Sequence, residues 1–400
     1  MKENKTLVCF TASYPYGNKE TYFENELQYL SQQFEKVIII PTYNAYGDEK
    51  RSVPINVEIY PVTLKQGKNR FFDFFNNLNI PNHLISEINI NKIFNNKSKI
   101  KSWLLSLISY GKGLNNFLSY NFDPDTTILY SYWSGQNFFI DKKLKNFTKV
   151  VRMHGGDFYL ERNNNYIPLQ FEIYKNADLL LPISKDIYSR LVNYYNIDKK
   201  NIRLSYLGVK SDFKLCTIKT SKVLKVISCS NVYALKRIDL IYQILLEFDP
   251  TIEIEWSHIG SGELLISLKE YIQSNYRENI KVNFLGQKSQ DEIKKIYESN
   301  YYDFFINTSE YEGLPVSVME AHSYGIPAVA TNVGGTSEIV NNKNGLLIDK
   351  YFNNKEVAKR MEEMYVEGLH NYRKNAYETW QENFNAEKNY GNVIKSIKEI

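Results

Sequence analysis

Cysteine is scarce in this chain of 400 residues, which contains only Cys9, Cys216 and Cys229. The three residues are far apart, odd in number and in no paired spacing. A disulfide framework and a cysteine-based zinc site are therefore excluded as organising features, and the composition fits a reducing compartment.

Long apolar runs are also missing, since no window approaches the roughly 18 apolar residues of a membrane-spanning helix. The apolar run at residues 6–10 follows lysines, but it is too short for a signal peptide and ends at the turn-forming residues 14–17. A first β-strand explains this run better. We therefore expect a cytoplasmic protein that spans no membrane.

Clusters of metal ligands and a strong charge imbalance are absent from the sequence as well. No group of His, Asp and Glu residues has the spacing of a metal site, so we predict no metal. Asp123 and Asp125 flank a proline just before a predicted strand, where a turn requires such residues. The net charge of +4 does not by itself indicate nucleic-acid binding, and none is expected.

What the chain does contain is a regular alternation of short apolar runs and helical patterns. Its length suits two or three domains, and 43% hydrophobic with 24% charged residues is ordinary for a globular protein. The predicted strands form a first series at residues 7–12, 37–41, 127–132, 150–153 and 179–183, and a second at 223–228, 253–259, 282–285, 304–307, 328–331 and 345–348. The predicted helices cover residues 24–34, 166–176, 185–194, 239–247, 264–275, 290–299 and 316–324. This alternation predicts an α/β fold with two doubly wound parallel sheets.

A polar stretch at residues 209–222 separates the two series and carries no periodicity. We therefore place the domain boundary there, with predicted domains at residues 1–208 and 209–385. The final segment, 380–400, is helical in pattern. Two doubly wound domains in tandem are expected to bind a ligand in a crevice at the carboxyl ends of their strands.

Residues 310–327 are the most informative stretch, because the carboxylates of Glu312 and Glu320 bracket a Gly-Leu-Pro turn. Pro315 marks a helix start, where unpaired N–H groups and the helix dipole make an anion site. Acidic residues on both sides of that site suit a ligand with a central phosphate and hydroxyl-rich ends, such as a nucleotide sugar. The alternative is an amphipathic helix with solvated glutamates, but the downstream Val-Gly-Gly-Thr-Ser-Glu at 333–338 favours the functional interpretation.

With these motifs the chain resembles the retaining nucleotide-sugar glycosyltransferases of the two-domain GT-B fold, and more narrowly glycosyltransferase family 4. Members of that family build bacterial O-antigens, capsules and related polysaccharides. The resemblance covers most of the chain and is weakest between about residues 60 and 125. It implies two Rossmann-like domains facing a central cleft, with the acceptor side in the first domain and the donor in the second. It also implies that a C-terminal helix, about 386–400, packs back on the first domain.

The resemblance assigns roles to the 310–327 motif. Glu312 would contact the donor sugar, and it is one of the expected catalytic residues. Glu320 would bind the ribose hydroxyls. The backbone between the two carboxylates would hold sugar hydroxyls and the diphosphate, through Gly313, Leu314, Pro315, Val316 and Ser317.

A second motif, at 230–237, follows the first strand of the second domain. The family places an Arg there and, five residues later, a Lys, which together neutralise the donor diphosphate. Lys236 matches the second position and is the expected catalytic cation. Asn231 stands at the first position and removes one charge, which Arg237 is a candidate to replace. A cation is unfavourable at a helix start, which favours a phosphate partner over a structural role for the lysine.

Weaker signals come from turns at the ends of other strands. Gly260, in a Gly-Ser-Gly turn, resembles the family's Gly-x-Gly near the nucleotide, and Gln287 falls where the base is expected. Gly17 lies where the family usually has a glycine pair that lets the backbone approach the phosphate. Only this glycine remains in the turn.

On the acceptor side, the segment 152–157 follows a strand end. His154 precedes two glycines and resembles the family's acceptor-side histidine near the reacting centre, and it is counted among the expected catalytic residues. The alternative is a structural histidine. Arg152 and Asp157, together with Trp133 at another strand end, are expected on the same acceptor side.

The resemblance implies transfer of a sugar from a nucleoside diphosphate donor to a hydroxyl of a glycan, expected to be lipid-linked, without metal or other cofactor. Two alternatives stay open. One is a sugar-nucleotide epimerase on the same fold. The other is a catalytically inactive GT-B partner that binds a glycan or scaffolds assembly, which the missing Arg at position 231 favours. The sequence identifies neither the sugar, the base nor the acceptor.

Residues 64–117 are more basic than the rest of the chain. They contain eight Lys and Arg but only two Asp and Glu, interleaved with aromatic pairs such as Phe71-Phe72. A basic, aromatic stretch can lie on an anionic membrane surface, so a peripheral contact with the inner face of the cytoplasmic membrane is one expectation. An insertion with solvated lysines is the other.

Overall fold

The computed structural model describes residues 3–17, 19–44, 47, 49–64, 81–215 and 222–400. The chain divides into two compact units: a first unit of Met1–Tyr206 with Glu387–Ile400, and a second unit of Leu207–Ala386. In each unit the described residues form a six-stranded parallel sheet with helices between strands. The predicted α/β class with two doubly wound sheets is therefore confirmed.

The sheet of the first unit has the strand order β3-β2-β1-β4-β5-β6. Its strands are β1 (Glu3–Thr11), β2 (Phe34–Pro41), β3 (Val57–Ile59), β4 (Thr127–Ser131), β5 (Thr148–Met153) and β6 (Leu179–Pro182). The helices are α1 (Thr21–Gln33), α2 (Asn82–Ile90), α3 (Lys97–Ser119), α4 (Gly155–Phe158), α5 (Gln170–Lys175), α6 (Lys185–Asn193) and the C-terminal α13 (Ala386–Lys398).

The sheet of the second unit has the order β12-β11-β10-β7-β8-β9. Its strands are β7 (Leu224–Cys229), β8 (Ile254–Ile259), β9 (Ile280–Gly286), β10 (Phe304–Asn307), β11 (Ala328–Thr331) and β12 (Gly345–Ile348). The helices are α7 (Asp239–Leu246), α8 (Leu265–Ser274), α9 (Gln290–Ser299), α10 (Val316–Ser323), α11 (Asn354–Glu367) and α12 (His370–Thr379).

The strands are short and continuously apolar because both faces of each sheet are covered. In β1, Leu7 pairs with Val37 of β2 on one side and with Ile128 of β4 on the other. Leu7 and its neighbour Val8 point to opposite faces, yet both are fully buried. Period-2 alternation of apolar and polar residues is therefore not expected in these central strands.

Helix α13 packs on α1 in the first unit. Ile397 is fully buried in the same core as Leu27 and Leu30 of α1. The rings of Tyr29 and Tyr390 lie 5.3 Å apart between the two helices. Because α1 presents its apolar side chains at intervals of three and four residues, one stripe of this helix faces the core.

The structure differs from the predicted elements where the local pattern is weak. Strand β3 has only three residues and was not predicted, nor were helices α2, α3, α4, α11 and α12. The helix predicted over 380–400 is interrupted, since residues Trp380–Phe384 form a π-helical turn and Asn385 is extended. Within the predicted linker, Val209 forms a parallel bridge with Asn385, and residues 216–221 lie outside the described part.

Helix α3 has 23 residues, so its length alone would suit a membrane span. Lysines and serines interrupt its apolar positions. Across the described ranges, no helix combines the length and the hydropathy that crossing a membrane requires.

The packing of α13 yields a stability prediction. Replacing Ile397 by Ala leaves a cavity in a fully buried position, so we expect the free energy of unfolding of the first unit to fall by about 2–4 kcal/mol. Urea unfolding measures this change. Ile55→Ala, at a fully exposed isoleucine of the same unit, is the matched control and should leave the unfolding free energy nearly unchanged. Equal effects of the two substitutions would contradict a core role for α13.

Candidate active site

The carboxyl ends of β10, β7, β8 and β9 lie side by side along one edge of the second sheet, because these parallel strands are neighbours in that order. Along the chain, β7 leads to β8 on one side, and β10 is added later on the other. The edge between β7 and β10 is thus a topological switch point, where open α/β sheets bind their ligands. Lys236 follows β7 and Glu312 follows β10.

Lys236 and Glu312 meet at this switch point. The Lys236 Nζ donates to Glu312 Oε1 at 2.5 Å, and the amide of Asn307 donates to the same oxygen at 3.3 Å. Both charged side chains are partly buried, with 24% and 13% of their surface exposed. Partial burial limits solvent screening of this ion pair.

Arg237 does not join this pair. Its backbone lies in the left-handed region with φ 46°. The guanidinium donates to the carbonyl of Thr308 at 2.8 Å, to that of Lys350 at 2.8 Å and to that of Ser309 at 3.4 Å. The side chain is therefore committed to joining the loops after β10 and β12. Asn231 is exposed and leaves Lys236 as the cation beside Glu312.

The loop from Glu312 to Pro315 is fixed by the turn after β11. The N–H of Gly335 donates to the carbonyl of Gly313 at 2.8 Å. Gly334 has φ 53°, and a Cβ there would lie 1.8 Å from the Glu312 carbonyl oxygen, so only glycine permits this approach. The Val-Gly-Gly motif predicted from sequence thus positions the Glu312 loop.

Helix α10 begins directly after this loop, with Pro315 at its N-cap and no side-chain cap. The N–H groups of its first turn therefore carry the partial positive charge of an uncapped helix start. Leu314, Val316 and the N-cap proline are buried, whereas Ser317 is partly exposed. The predicted residues Gly313–Ser317 are thus brought next to the Lys236–Glu312 pair by chain connectivity.

Two turns approach each other closely at the ends of β7 and β8. A Cβ on Gly260 would lie 1.9 Å from the Ser230 carbonyl oxygen, and one on Gly262 would lie 2.4 Å from that of Val232. The Gly260 N–H also donates to the Gly286 carbonyl at 2.9 Å, which joins the ends of β8 and β9. Gln287 follows directly and is exposed at the same edge.

Glu320 lies on α10 and is buried. Burial raises the pKa of its carboxyl from 4.5 to about 7, and a hydrogen bond from Gln290 opposes this shift without cancelling it. The Glu320 and Glu312 carboxylates therefore have different environments: one is desolvated, the other is ion-paired.

In the first unit, β1, β4 and β5 are neighbours, and their carboxyl ends bring a second group of predicted residues together. The His154 ring lies 4.6 Å from the Trp133 ring and 4.7 Å from the Tyr132 ring, centroid to centroid. Both ring nitrogens of His154 are buried without a hydrogen-bond partner among the described residues. Burial and the nearby Arg152 hold the pKa of His154 well below its usual value, so the ring is neutral at pH 7.

Asp157 links the turns after β4 and β5. Its carboxylate accepts from the N–H of His154 at 2.7 Å and from the N–H of Ser134 at 2.8 Å. Burial raises the pKa of Asp157 to about 7 despite these hydrogen bonds. The side chain retains 17% exposure.

Arg152, which the resemblance places on the acceptor side, is held by buried partners. Its guanidinium is fully buried, 3.3 Å from the Glu26 carboxylate, which is also fully buried. It donates to the hydroxyl and the carbonyl of Ser205, both at 3.2 Å. An isolated buried charge is very costly, which explains the pairing and keeps Arg152 beneath the edge rather than at it.

Gly17 has φ 67°, which suits the turn after β1, but the sequence analysis missed the carboxylate that organises this turn. Glu20 accepts from the N–H groups of Ser13 and Tyr14, both at 2.7 Å, and from the Trp133 indole N–H at 2.6 Å. An acidic residue just before a helix resembles an ordinary partner of the helix dipole, so the sequence pattern gave no reason to single it out.

Metal-ligand geometry is not found in the described residues, where no group of three His, Cys, Asp or Glu side chains could hold an ion. Asp123 instead stabilises a turn: its carboxylate accepts from the N–H of Asp125 at 3.1 Å and from the Thr126 hydroxyl at 3.3 Å.

The buried Glu320 predicts a pH-dependent stability. Its folded pKa of about 7 exceeds the ordinary value of 4.5, so the folded state binds the extra proton and stability falls as pH rises from about 4.5 to 7. Glu320→Gln does not titrate. When the pH is raised from 5 to 8, the free energy of unfolding of the variant should therefore increase by about 2–3 kcal/mol relative to that of the wild type.

Urea unfolding at the two pH values measures this gain. Glu263→Gln, at an exposed position of the same unit, is the control and should show the same difference from wild type at both pH values. A constant difference for Glu320→Gln as well would mean that the buried carboxyl does not titrate in this range.

Known proteins resemble this chain in sequence and in fold. Residues 219–380 match the family described as glycosyl transferases group 1. The O-antigen biosynthesis glycosyltransferase WbnH of Escherichia coli is 35% identical over 139 residues, which cover 35% of this chain and 37% of that protein. The UDP-Gal:alpha-D-GlcNAc-diphosphoundecaprenol alpha-1,3-galactosyltransferase of Escherichia coli is 33% identical over 92 residues, 23% of each chain. The chain thus spans less than half of the length of these relatives.

Among solved structures, the lipopolysaccharide outer core galactosyltransferase WaaB in its apo form matches with a TM-score of 0.70. The match covers 98% of this chain and 99% of that chain at 16% identity, so it establishes the fold. The predicted resemblance is confirmed at a coarse level: residues 219–380 are similar to the glycosyl transferases group 1 family, and the chain has the fold of the GT-B glycosyltransferases.

Proposed function

We propose that this protein is a retaining, metal-independent glycosyltransferase of the family 4 type, which transfers a sugar from a nucleoside diphosphate donor to a glycan hydroxyl. The observation that carries the proposal is the contact of Lys236 with Glu312 at the switch point of the second sheet, beside the uncapped start of α10. A cation and free helix N–H groups suit a diphosphate, and an adjacent carboxylate suits sugar hydroxyls.

Donor binding would replace the contact between Lys236 and Glu312 by contacts of each side chain with the donor. In the structure, Lys236 is paired with Glu312. A diphosphate carries more negative charge than one carboxylate, so it would attract the Lys236 ammonium and release Glu312 for the hydroxyls of the donor sugar. During transfer, Lys236 and the α10 N-terminus would stabilise the charge that develops on the departing diphosphate. Glu320 would bind the ribose, and Gly260 and Gln287 would lie near the base.

The phosphate contact would depend heavily on one lysine. Asn231 contributes no charge, and the Arg237 guanidinium is already shared among three carbonyls. Removing Arg237 from those carbonyls would leave buried acceptors unpaired, which is costly. Lys236 is therefore the side chain on which we place the catalytic charge stabilisation.

The acceptor would contact the first unit at the turns after β4 and β5. Trp133 and the neutral His154 offer apolar ring surface for a sugar, and Asp157 offers a carboxyl whose pKa of about 7 lets it accept or donate a hydrogen bond near neutrality. We propose a lipid-linked glycan of a surface polysaccharide as the acceptor. This is supported by the names of the two similar proteins, one in O-antigen biosynthesis and one with a diphosphoundecaprenol acceptor.

A catalytically inactive glycan-binding partner is the second candidate, and one observation favours it. The uncharged Asn231 and the committed Arg237 leave a single cation for the diphosphate. Such a protein would bind a donor without turning it over. A sugar-nucleotide epimerase would instead convert the donor in the absence of any acceptor.

One assay separates these functions. Purified protein is incubated with UDP-sugars, with and without lipid-linked acceptors, and the nucleotide products are resolved by chromatography. We expect UDP release that increases with acceptor and a product whose anomeric configuration, determined by NMR, equals that of the donor. An inverted anomeric centre would refute retention. Donor binding without turnover would favour the inactive partner, and a converted donor sugar would favour the epimerase.

The dependence on Lys236 yields a kinetic prediction. Lys236→Ala should lower kcat by about a hundredfold or more, the scale of one lost contact to a developing oxyanion. Steady-state transfer kinetics measure this loss. Lys281→Ala, at an exposed lysine of the same unit, is the control and should retain wild-type kinetics. If Lys236→Ala also turns over normally, the backbone N–H groups alone hold the diphosphate.

We also propose that the protein lies at the inner face of the cytoplasmic membrane, where such acceptors occur. Residues 65–80 of the basic segment lie outside the described part of the chain. In the described part, α2, α3 and the segment between them carry exposed apolar side chains and exposed lysines. The apolar ones are Ile85, Ile90, Phe94 and Leu104, with exposures from 39% to 75%, and the lysines are Lys92, Lys97 and Lys101. Apolar and cationic groups on one stretch suit an anionic bilayer surface.

Vesicle binding tests this proposal. Replacing Lys97, Lys99 and Lys101 by Gln should weaken binding to anionic vesicles, since each cation near such a surface contributes on the order of 1 kcal/mol. Sedimentation with vesicles of increasing anionic lipid content and salt measures the effect. The matched control replaces the exposed residues Lys142, Lys143 and Lys145 by Gln and should bind like the wild type. Equal binding to neutral and anionic vesicles would contradict the proposal.

A further inference from the structure

Glu20 is the N-cap residue of α1, but its side chain does not cap that helix. Its carboxylate instead accepts from the turn after β1. Oε1 accepts from the N–H of Ala12 at 2.9 Å, and Oε2 accepts from the N–H groups of Ser13 and Tyr14, both at 2.7 Å. The Ser13 hydroxyl adds a contact at 3.2 Å. Three successive backbone N–H groups thus converge on one carboxylate.

Such a convergence is an anion-binding nest. Every one of these partners donates, so only a group with several acceptor lone pairs and no N–H or O–H facing them satisfies the turn. A carboxylate meets that requirement, and a carboxamide does not. The anion site at the end of β1 is therefore filled by the protein's own side chain.

The same carboxylate reaches the aromatic pair at the neighbouring strand ends. The Trp133 indole N–H donates to Glu20 Oε1 at 2.6 Å, and the Trp133 ring lies 4.6 Å from the His154 ring, with 47° between their planes. Glu20 is thus the side chain that connects the turn after β1 with the side chains that follow β4 and β5.

The backbone conformation of Glu20 also indicates that the contacts of its carboxylate are specific. Its φ of 59° and ψ of 36° lie in the left-handed region, which non-glycine residues rarely occupy. Such a conformation persists where the surrounding contacts enforce it. Here the hydrogen bonds to the carboxylate come from Ala12, Ser13, Tyr14 and Trp133.

We propose that Glu20 is a positioning residue for the acceptor: its carboxylate takes the place of a bound anion in the turn after β1 and fixes the Trp133 ring against His154. This inference rests on the proposed glycosyltransferase function. With the nest filled, the N–H groups of Ala12, Ser13 and Tyr14 are not available to a phosphate, so we expect the second unit to hold the donor diphosphate. A fixed negative charge at this edge also favours a neutral sugar over an anionic one as the contacting part of the acceptor.

The nest is tested without any substrate. Glu20→Ala leaves the converging N–H groups unfilled, and sodium formate supplies a carboxylate without a side chain. We expect the tryptophan emission of Glu20→Ala to differ from that of the wild type and to return towards it as formate replaces chloride at constant ionic strength. The double variant Glu20→Ala with Trp133→Phe should give no formate response, since Trp103, Trp256 and Trp380 are buried elsewhere.

Glu20→Gln is a second variant for the case that Glu20→Ala does not fold, because it keeps the side-chain volume. Its amide fills the nest with the wrong polarity, so we expect shifted emission and no formate response. Absence of a formate response in Glu20→Ala, or an equal response in the double variant, would overturn the nest.

The positioning role is tested by comparing transfer with donor hydrolysis. Glu20→Ala should raise the KM for the acceptor about tenfold or more, the scale of a lost charge-assisted hydrogen bond, while donor hydrolysis without acceptor stays unchanged. Formate should restore the acceptor KM. The control is Glu58→Gln, a carboxylate of the same unit that forms an exposed pair with Lys36 at 2.8 Å; it should leave transfer nearly unchanged because an exposed pair contributes little.

Parallel loss of hydrolysis and transfer without rescue by formate would overturn the positioning role and make Glu20 a purely structural residue. A wild-type protein that transfers no sugar, with a formate response intact in Glu20→Ala, would refute the proposed function while the nest remains. The two failures are therefore distinguishable.

Discussion

Parallel pairing of β7 with β8 on one side and with β10 on the other is the constraint on which the candidate donor site depends. Because all three strands run in the same direction, the loops that follow them emerge at one edge. Lys236 and Glu312 are separated by 76 residues in sequence, yet their side chains are in contact there. The helix dipole of α10 then adds its positive end next to this pair.

The geometry of this edge is held by backbone contacts more than by side-chain charge. The N–H of Glu310 donates to the Leu235 carbonyl at 2.8 Å, and the Thr308 hydroxyl donates to the carbonyls of Lys236 and Arg237. Gly334 allows the turn after β11 to touch the Glu312 backbone. The two charged side chains therefore project from loops that are already fixed, which favours preorganised electrostatic stabilisation.

Three glutamates of this protein lie in different environments, which suit them to different roles. Glu312 is ion-paired and remains partly accessible, as contact with a ligand requires. Glu320 is desolvated, which raises its pKa to about 7. Glu20 is satisfied by backbone N–H groups and the Trp133 indole, and so acts within the protein. The three side chains have the same chemical structure, and their different environments come from burial and from their hydrogen-bond and ion-pair partners.

The sequence by itself determined the fold class, and it predicts the region of the candidate donor site. Buried parallel strands appear in the sequence as continuous apolar runs. The Glu312 motif, with its Gly-Leu-Pro turn and helix start, is contiguous in sequence. Prediction from such local patterns missed β3, because its three residues carry too little pattern. It also missed the helices α2 and α3.

Only the tertiary structure decided which side chains are committed to structural partners. Arg237 contacts carbonyls up to 113 residues away, Arg152 of β5 pairs with Glu26 of α1, and Glu20 contacts Trp133, 113 residues away in sequence. None of these contacts follows from a local motif. A charged side chain that several buried groups of the fold hold is not available to a ligand, and which side chains are held in this way depends on long-range contacts formed when the chain folds.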